Sequence, residues 1–129
     1  MKTTALAIHE RALQFRALRN EILSSNIANA DTPNYKAKDF DFASALRGAR
    51  SASMPLTKTS DLHMSSMSTH RLGADVQYRM PAQSSLDGNT VETDVEQAAF
   101  AENAVQYRAS LRFVDGQLRT LRYALKGGD

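Results

Sequence analysis

The sequence contains no cysteine and no tryptophan, and these absences limit what the chain can be. A chain without cysteine has no disulfides and no thiolate metal sites. The aromatic residues are five phenylalanines and four tyrosines among 129 residues, so a single core would be modest and a large enzyme core is not expected. The formal net charge of +2 is too small to indicate nucleic acid as a partner.

Long apolar runs are also missing. The first sixteen residues contain a lysine and a short apolar run, but Glu10 and Arg11 interrupt it, and no small-x-small cleavage site follows in register. No run is long enough to span a bilayer. We therefore expect neither a cleaved secretory signal peptide nor a membrane span. No glycine-rich phosphate loop is present, Asp87-Gly88 is typical of a turn, and no cofactor is expected.

The amino-terminal part predicts a long amphipathic helix. Its apolar residues recur every three or four positions from about Thr4 to Ala30, which is the period of one helix face. Pro33 cannot continue a helix and disfavours the helical region for Thr32, so this part is assigned to residues 1–32. The residues expected to face a partner helix are Ile8, Phe15, Leu18 and Ile22.

The carboxy-terminal part, residues 93–129, predicts a second and longer helix. Thr93 and Glu96 have the spacing of a capping box, and Gly127-Gly128 predicts the end of the helix. Between them, apolar residues alternate spacings of four and three, the pattern of a coiled coil. We call this series the apolar stripe: Phe100, Ala104, Tyr107, Leu111, Val114, Leu118, Leu121 and Leu125.

Charges follow the same rhythm beside the apolar stripe. They form the basic stripe, interrupted by Asp115: Arg108, Arg112, Arg119, Arg122 and Lys126. Two interpretations stay open, a solvated flank or a contact with an acidic groove of an adjacent subunit. Gly116 lies inside this helix and marks either the close approach of a neighbour or a bend.

Residues 33–92 lack helical periodicity and contain all three prolines. We expect an irregular segment with short strands near residues 56–59 and 75–80 and a turn at Asp87-Gly88. The two terminal helices then pack as an antiparallel coiled-coil hairpin, which makes the fold mainly α. Two helices alone leave apolar surface in water. We therefore expect the apolar faces of both helices to contact other chains, and the termini to become ordered only on assembly.

The stretch between Ser24 and Phe42 reads SSNIANADTPNYKAKDFDF. Its small residues allow another backbone to approach, while amide side chains three apart on a helix can fix the register of a neighbour. Asparagine after a proline tolerates the left-handed turn conformation. The residues predicted to set the end of the hairpin and the next subunit's contact are Asn26, Asn29, Pro33, Asn34 and Tyr35.

This stretch of sequence resembles the signature of the bacterial flagellar axial proteins, the rod, hook and hook-associated family. Members of that family carry an Asn-x-x-Asn helix end followed by a Thr-Pro-Gly-Tyr-like turn. Asn34 stands where that family usually has glycine. Later segments resemble its proximal rod members: YRMP from Tyr78, SLDGNTV from Ser85, and the acidic start of the last helix from Asp94 to Ala104. The resemblance covers nearly the whole chain.

The resemblance implies a structural subunit of the basal-body rod that transmits torque and is not an enzyme. It also implies partners: other copies, other rod proteins, the membrane-supramembrane ring with its adaptor at the rod base, and the export gate. The implied location is the rod crossing the periplasm, reached through the flagellar type III apparatus without cleavage.

Two other classes of function are weighed against this one. A soluble helical adaptor or chaperone that binds a partner helix would use the apolar stripe equally well. A periplasmic copper-binding protein would use the thioethers and imidazoles of His63, Met64, Met67 and His70, although no supporting shell is recognisable around them. A hydrolase triad drawn from Asp61, His63 and a nearby serine lacks a nucleophile elbow.

Overall fold

The structure, a computed structural model, describes residues 2–51, 70–71 and 73–127. Two long helices are its main elements: α1 spans Lys2–Ala28 and α3 spans Thr93–Lys126. A third helix, α2, spans Phe42–Ser51. Four two-residue strands complete the described elements: β1 Lys38–Asp39, β2 His70–Arg71, β3 Ala74–Asp75 and β4 Gln77–Tyr78. A mainly helical chain with long terminal helices and short strands is thus confirmed.

The strands pair in two small antiparallel ladders. β1 pairs with β4, with Lys38 opposite Tyr78, and β2 pairs with β3, with His70 opposite Asp75. Strands this short are not stable alone, so they depend on the helices against which they pack. Extended structure was predicted near residues 75–80 and is present there; the strand predicted at residues 56–59 lies outside the described residues.

Helix α2 was not predicted and corrects the view of residues 33–92 as irregular. The side chain of Asp41 accepts hydrogen bonds from the Ala43 amide at 3.0 Å and from the Ser44 hydroxyl at 2.6 Å, which is a helix N-cap. Apolar residues follow at positions 42, 45, 46 and 49, the spacing of a short amphipathic helix. Both signals were readable in the sequence.

The apolar core lies where α1, α2 and β3 meet. Phe15 is fully buried, with its ring centroid 6.2 Å from that of Phe40 and 6.5 Å from that of Phe42. The buried residues of this cluster are Phe15, Leu18, Phe40, Ala45 and Ala74, and Ile22 packs against them. The apolar face of α1 is therefore shared between α3 and the middle segment.

The ends of α3 agree only partly with the sequence. The helix ends at Lys126, and Gly127 adopts the left-handed conformation at φ 78°, as predicted. The capping box is wrong: the N-cap residue is Glu92, without a side-chain cap, and Thr93 is already helical. Glu96 does not turn back to the helix start because its carboxylate is fully buried against α1 and Arg79.

Candidate assembly interface

A line of polar contacts joins α1 to α3. The Asn103 side chain donates to the Arg16 carbonyl at 2.9 Å, and the Arg16 guanidinium donates to the Ser110 hydroxyl at 3.2 Å and to the Gln106 side chain. Further along, the His9 ring stacks on Phe113 with a centroid distance of 5.7 Å. Residues later in α1 therefore contact residues earlier in α3.

The residues of α3 in these contacts form their own helical line: Glu96, Asn103, Gln106, Ser110 and Phe113. The predicted apolar stripe lies one position further along at most steps, so it lies beside this line instead of on it. Phe100, Val114 and Leu121 are half-buried. Tyr107 is 37% exposed, Leu118 42%, Leu111 49% and Leu125 88%. Much of the apolar stripe thus stays uncovered in a single chain.

A buried polar cluster ties the end of α1 to the start of α3. The Asn26 side chain donates to the Glu96 carboxylate at 3.1 Å and to the Lys38 carbonyl at 2.7 Å. Its oxygen accepts from the Lys38 amide at 3.1 Å. Asn26 thus satisfies both backbone groups of Lys38 as a neighbouring strand would, and it fixes β1 against both helices at once.

Arginines complete this polar cluster. Arg79 pairs with Glu96 and, at 2.7 Å, with Asp39, while Arg19 holds Asp39 through two hydrogen bonds of 3.1 Å each. Burial alone would raise the pKa of Asp39, but the hydrogen bonds from Arg19, the Phe40 amide and Arg79 outweigh it and hold that pKa below 3.8. Two carboxylates face two guanidiniums, so the polar cluster is charge-balanced at neutral pH.

Arg16 is another arginine of α1 that contacts neighbouring elements. Partial burial and then the charge of Arg19 lower its pKa, but a guanidinium stays protonated at neutral pH. Its side chain also lies over the Phe42 ring, 4.2 Å from the ring centroid. Arg16 therefore connects α3 to the start of α2 through one side chain.

The turn after α1 is held by the segment that precedes α3. The Asn89 side chain donates to the carbonyls of Asn29, Ala30 and Thr32 at 2.8 to 3.0 Å. These carbonyls follow the last turn of α1. Two of them also accept a backbone amide, Asn29 from Thr32 at 3.1 Å and Thr32 from Tyr35 at 3.3 Å, so Asn89 adds a shared donor that ties the whole turn together. Sequence reasoning missed Asn89, because no local pattern connects a side chain to carbonyls about sixty residues earlier.

The predicted left-handed turn residue is present. Asn34 has φ 61°, and its amide donates to the Asp87 carbonyl at 2.9 Å. A turn joins the Gly88 amide to the Ser85 carbonyl at 3.2 Å, as expected for Asp87-Gly88. The Asn34 side chain lies over Gly88, where an added Cβ would be only 2.6 Å from its oxygen. The two turns are therefore fitted to each other.

The other residues predicted around this turn have mainly local roles. Asn29 donates to the Ser25 carbonyl at 2.8 Å and accepts from the Thr32 hydroxyl at 3.1 Å, so it does not reach another helix through these bonds. Tyr35 lies over the same end of α1, with its hydroxyl 3.2 Å from that of Ser25. Pro33 is exposed. Ile8 and Ile22 are half-buried.

Small-molecule and metal chemistry finds little support in the described residues. A cleft of about 290 Å³ opens beside Asn26, between α1 and the β1–β4 ladder, and it is open to solvent. Within residues 2–51, 70–71 and 73–127, no group of three or more His, Asp and Glu is placed to hold a metal ion. His63, Met64 and Met67 of the copper hypothesis lie outside the described residues. No helix in the described part is long and apolar enough to cross a membrane.

Comparison with known proteins places this arrangement in a family. Residues 6–36, which cover most of α1 and the following turn, match the family described as flagella basal body rod protein. The chain is 45% identical to flagellar basal body rod protein FlgB of Escherichia coli (strain K12), over 97% of this chain and 95% of the relative. It is 42% identical to FlgB of Salmonella typhimurium (strain LT2) with the same coverage, and 42% identical to FlgB of Cereibacter sphaeroides over 95% and 94%.

Proposed function

The chain belongs to the FlgB family of flagellar basal body rod proteins, and we propose how it works as a structural subunit of that rod. The family is structural and not enzymatic. Two features of α3 support the proposal. This 34-residue helix packs along α1, and much of its apolar stripe is left uncovered beside that contact. A part built this way is internally stiff and offers its neighbours a long surface.

In this proposal α1 and α3 form an antiparallel hairpin. The order of contacts supports it: His9 is next to Phe113, Arg16 next to Gln106, and Asn26 next to Glu96. Polar contacts of defined geometry fix the register, since each unpaired buried group would cost free energy. A hairpin with a fixed register transmits torque without sliding, as a drive shaft must.

The assembly surface is proposed to comprise the uncovered part of the apolar stripe and the end of the hairpin. At the hairpin end the proposed contact residues are Asn29, Pro33, Asn34 and Tyr35, whereas the fully buried Asn26 sets the shape of that end from within. The partners proposed are further copies of this chain and other rod proteins. At the rod base they are the membrane-supramembrane ring, its adaptor and the export gate. The chain would reach the periplasmic rod through the flagellar export apparatus without cleavage.

Deletion of the gene, followed by electron microscopy of basal bodies, tests the function directly. We expect cells without rods or hooks, with recovery when the wild-type chain is supplied. Intact rods in the deletion strain would refute the assignment. Family membership disfavours the adaptor or chaperone alternative. The composition of washed basal bodies from wild-type cells separates the two functions: an adaptor would be missing from them, whereas a rod subunit would be present.

A point substitution tests the apolar stripe. Leu118→Asp should abolish rod assembly, because assembly would bury an uncompensated carboxylate in a helix interface. Ala109→Asp, on a different and exposed face of α3, is the matched control and should assemble normally. Normal motility of cells that carry Leu118→Asp would remove the apolar stripe from the proposed interface.

A further inference from the structure

We propose that α3 contains a hinge in the turn from Gly116 to Thr120, about which the last part of the helix bends. We call that last part, residues 121–126, the arm, and residues 93–113 the fixed part. The hinge is a property of the single chain, whereas its use in the rod rests on the proposed function.

Gly116 has no packing role within the chain. A glycine inside a helix destabilises it relative to alanine, so either the close approach of another group or an effect on the helix itself must account for it. A Cβ added at Gly116 would meet nothing within 4 Å, so no neighbour in the chain requires the missing side chain. The effect on the helix remains: glycine leaves the backbone open to water and gives it more conformational freedom.

Thr120 weakens the same turn in a second way. Its hydroxyl donates to the Gly116 carbonyl at 3.0 Å. In an α-helix that carbonyl is also the acceptor for the Thr120 amide, so the backbone hydrogen bond shares its acceptor with the side chain. Threonine hydroxyls that bond back to the preceding turn weaken helices and often bend them. Both effects therefore act on one backbone hydrogen bond, between Gly116 and Thr120.

The hinge lies directly after the part of α3 that is held by α1. Among the described residues, the last side-chain contacts between the two helices are those of Ser110 and Phe113. The pair of Arg119 with Asp115 spans the hinge, but it is exposed and adds little stability. In the arm, Leu121 is half-buried and residues 122–126 are exposed. The arm is therefore held weakly, and the fixed part firmly.

The geometry of the helix sets the direction of the bend. Gly116 and Thr120 are each two positions from Leu118, which puts both about 160° from it around the helix, opposite the apolar stripe. A helix curves away from the side on which its backbone hydrogen bonds lengthen. A bend at the hinge therefore makes the apolar stripe concave and moves Leu125 toward the surface that the stripe contacts. In the rod, the stripe would follow neighbours of different curvature.

Distances between spin labels test the hinge. The chain has no cysteine, so introduced thiols are labelled without background. The hinge pair is Ala109→Cys with Ala124→Cys, and the control pair in the fixed part is Asp94→Cys with Ala109→Cys. Both pairs are fifteen residues apart and join exposed positions, a separation of roughly 22 Å along a helix. The full-length labelled chain is diluted with unlabelled chain, so that only distances within one chain are measured.

Double electron–electron resonance should give a distance distribution about twice as wide for the hinge pair as for the control pair. Gly116→Ala and Thr120→Ala should each narrow the distribution of the hinge pair toward that of the control. A wide distribution caused by fraying of the last turn would persist in both variants. The proposal is overturned if the hinge pair is no wider than the control pair, or if Gly116→Ala leaves it wide.

Hydrogen exchange locates the bend independently. Opening of the hinge exposes the Thr120 amide, so its protection should be lower than at residues 118 and 122 on either side. Gly116→Ala should slow its exchange about fivefold, the factor that corresponds to the cost of glycine relative to alanine in a helix. Protection that falls continuously from residue 114 to residue 126 would indicate simple fraying of the helix end and would reject the hinge.

Rod assembly in cells tests whether the rod uses the hinge. Gly116→Ala and Thr120→Ala both stiffen the helix, but only Gly116→Ala adds a side chain that would obstruct a neighbour. Each should lower the number of complete rods per cell about fivefold, the factor by which it disfavours the bent helix. If only Gly116→Ala impairs assembly, or neither does, the hinge has no role in the rod and the proposed function stands. Rods in cells that lack the chain would refute the proposed function itself.

Discussion

The Asn26 amide and the Glu96 carboxylate meet at 3.1 Å, although seventy residues separate them, and both side chains are fully buried. One belongs to the last turns of α1 and the other to the first turn of α3. Arg79 binds the same carboxylate, and Lys38 uses both its backbone groups on the same amide. The pair is thus where the two helices and the middle segment are joined.

Replacement of Asn26 by leucine tests the importance of this pair. Leucine has a similar size but leaves the Lys38 amide and carbonyl and one Glu96 oxygen without their partner, so we expect a loss of about 3 kcal/mol in the free energy of unfolding. Urea denaturation followed by circular dichroism measures it. Asn29→Leu is the matched control, since its side chain bonds only within the turn of α1, and it should cost about 1 kcal/mol or less. Equal losses in the two variants would contradict the role of Asn26.

Acid should weaken the same polar cluster through Asp39. The hydrogen bonds it receives hold its pKa below 3.8 in the folded chain, so the unfolded state binds the proton more readily. The stabilisation by Asp39 is therefore complete above pH 3.8 and is lost as the pH falls through the lower, folded value. Free energies of unfolding measured between pH 6 and pH 2 should fall in this window.

Asp39→Asn removes this contribution and should flatten the acid limb of the curve. Asp41 and Asp87 also have lowered pKa values, because of hydrogen bonds from Ser44 and Ser85 respectively, so part of the slope should remain. Asp94→Asn, on an exposed position of α3, controls for the loss of one charge. An acid limb as steep in Asp39→Asn as in the wild type would contradict this prediction.

The sequence predicted the features that depend on local periodicity and on turn chemistry. The two long helices, the end of α3 at Gly127 and the left-handed Asn34 follow from residues close in sequence. Glu96 shows why the capping box failed: a carboxylate three residues after a threonine fits that motif, but Arg79 and Asn26 offer stronger partners in a buried place. Tertiary partners overrode a local preference.

The position of the apolar stripe illustrates a second limit. Leucines at heptad spacing predict that α3 has a partner, but not which helix it is. In the chain itself, Asn103, Gln106 and Ser110 occupy the α1 contact, and Leu111 is half exposed beside them. Polar residues with defined partners set the contact within the chain, and part of the apolar stripe remains exposed beside that contact.

The fit between the two turns predicts a cost for Gly88→Ala. Gly88 has φ 73°, where a Cβ is strained, and the new methyl carbon would be 2.6 Å from the Asn34 side-chain oxygen. Both effects together should lower the free energy of unfolding by about 2 kcal/mol. Gly73→Ala is the matched control: it has φ 84° and nothing within 4 Å, so it should lose about 1 kcal/mol from backbone strain alone. Thermal melts of both variants would show the difference, and a larger loss in Gly73→Ala would count against the contact.

Asn89→Asp tests the connection between the end of α1 and the segment before α3. The substitution keeps the shape of the side chain and the oxygen that accepts from the Val91 amide at 2.8 Å, but it replaces the group that donates to three carbonyls with a carboxylate oxygen. Negative charge beside the carbonyl end of a helix is also unfavourable. We expect a loss of about 2–3 kcal/mol in the free energy of unfolding.

Hydrogen exchange locates the effect of Asn89→Asp. The amides of the last turn of α1 and of residues 34–37 should exchange faster, because the turn that follows α1 loses its attachment. The amides in the second half of α3 should keep their protection, because that half contacts α1 at Arg16 and His9, far from the turn. Asp31→Asn, at an exposed position of the turn after α1, serves as the control for one changed charge. If Asn89→Asp speeds exchange evenly along the chain, the turn and the helices unfold as a single unit, and Asn89 has no separate role in holding the end of α1.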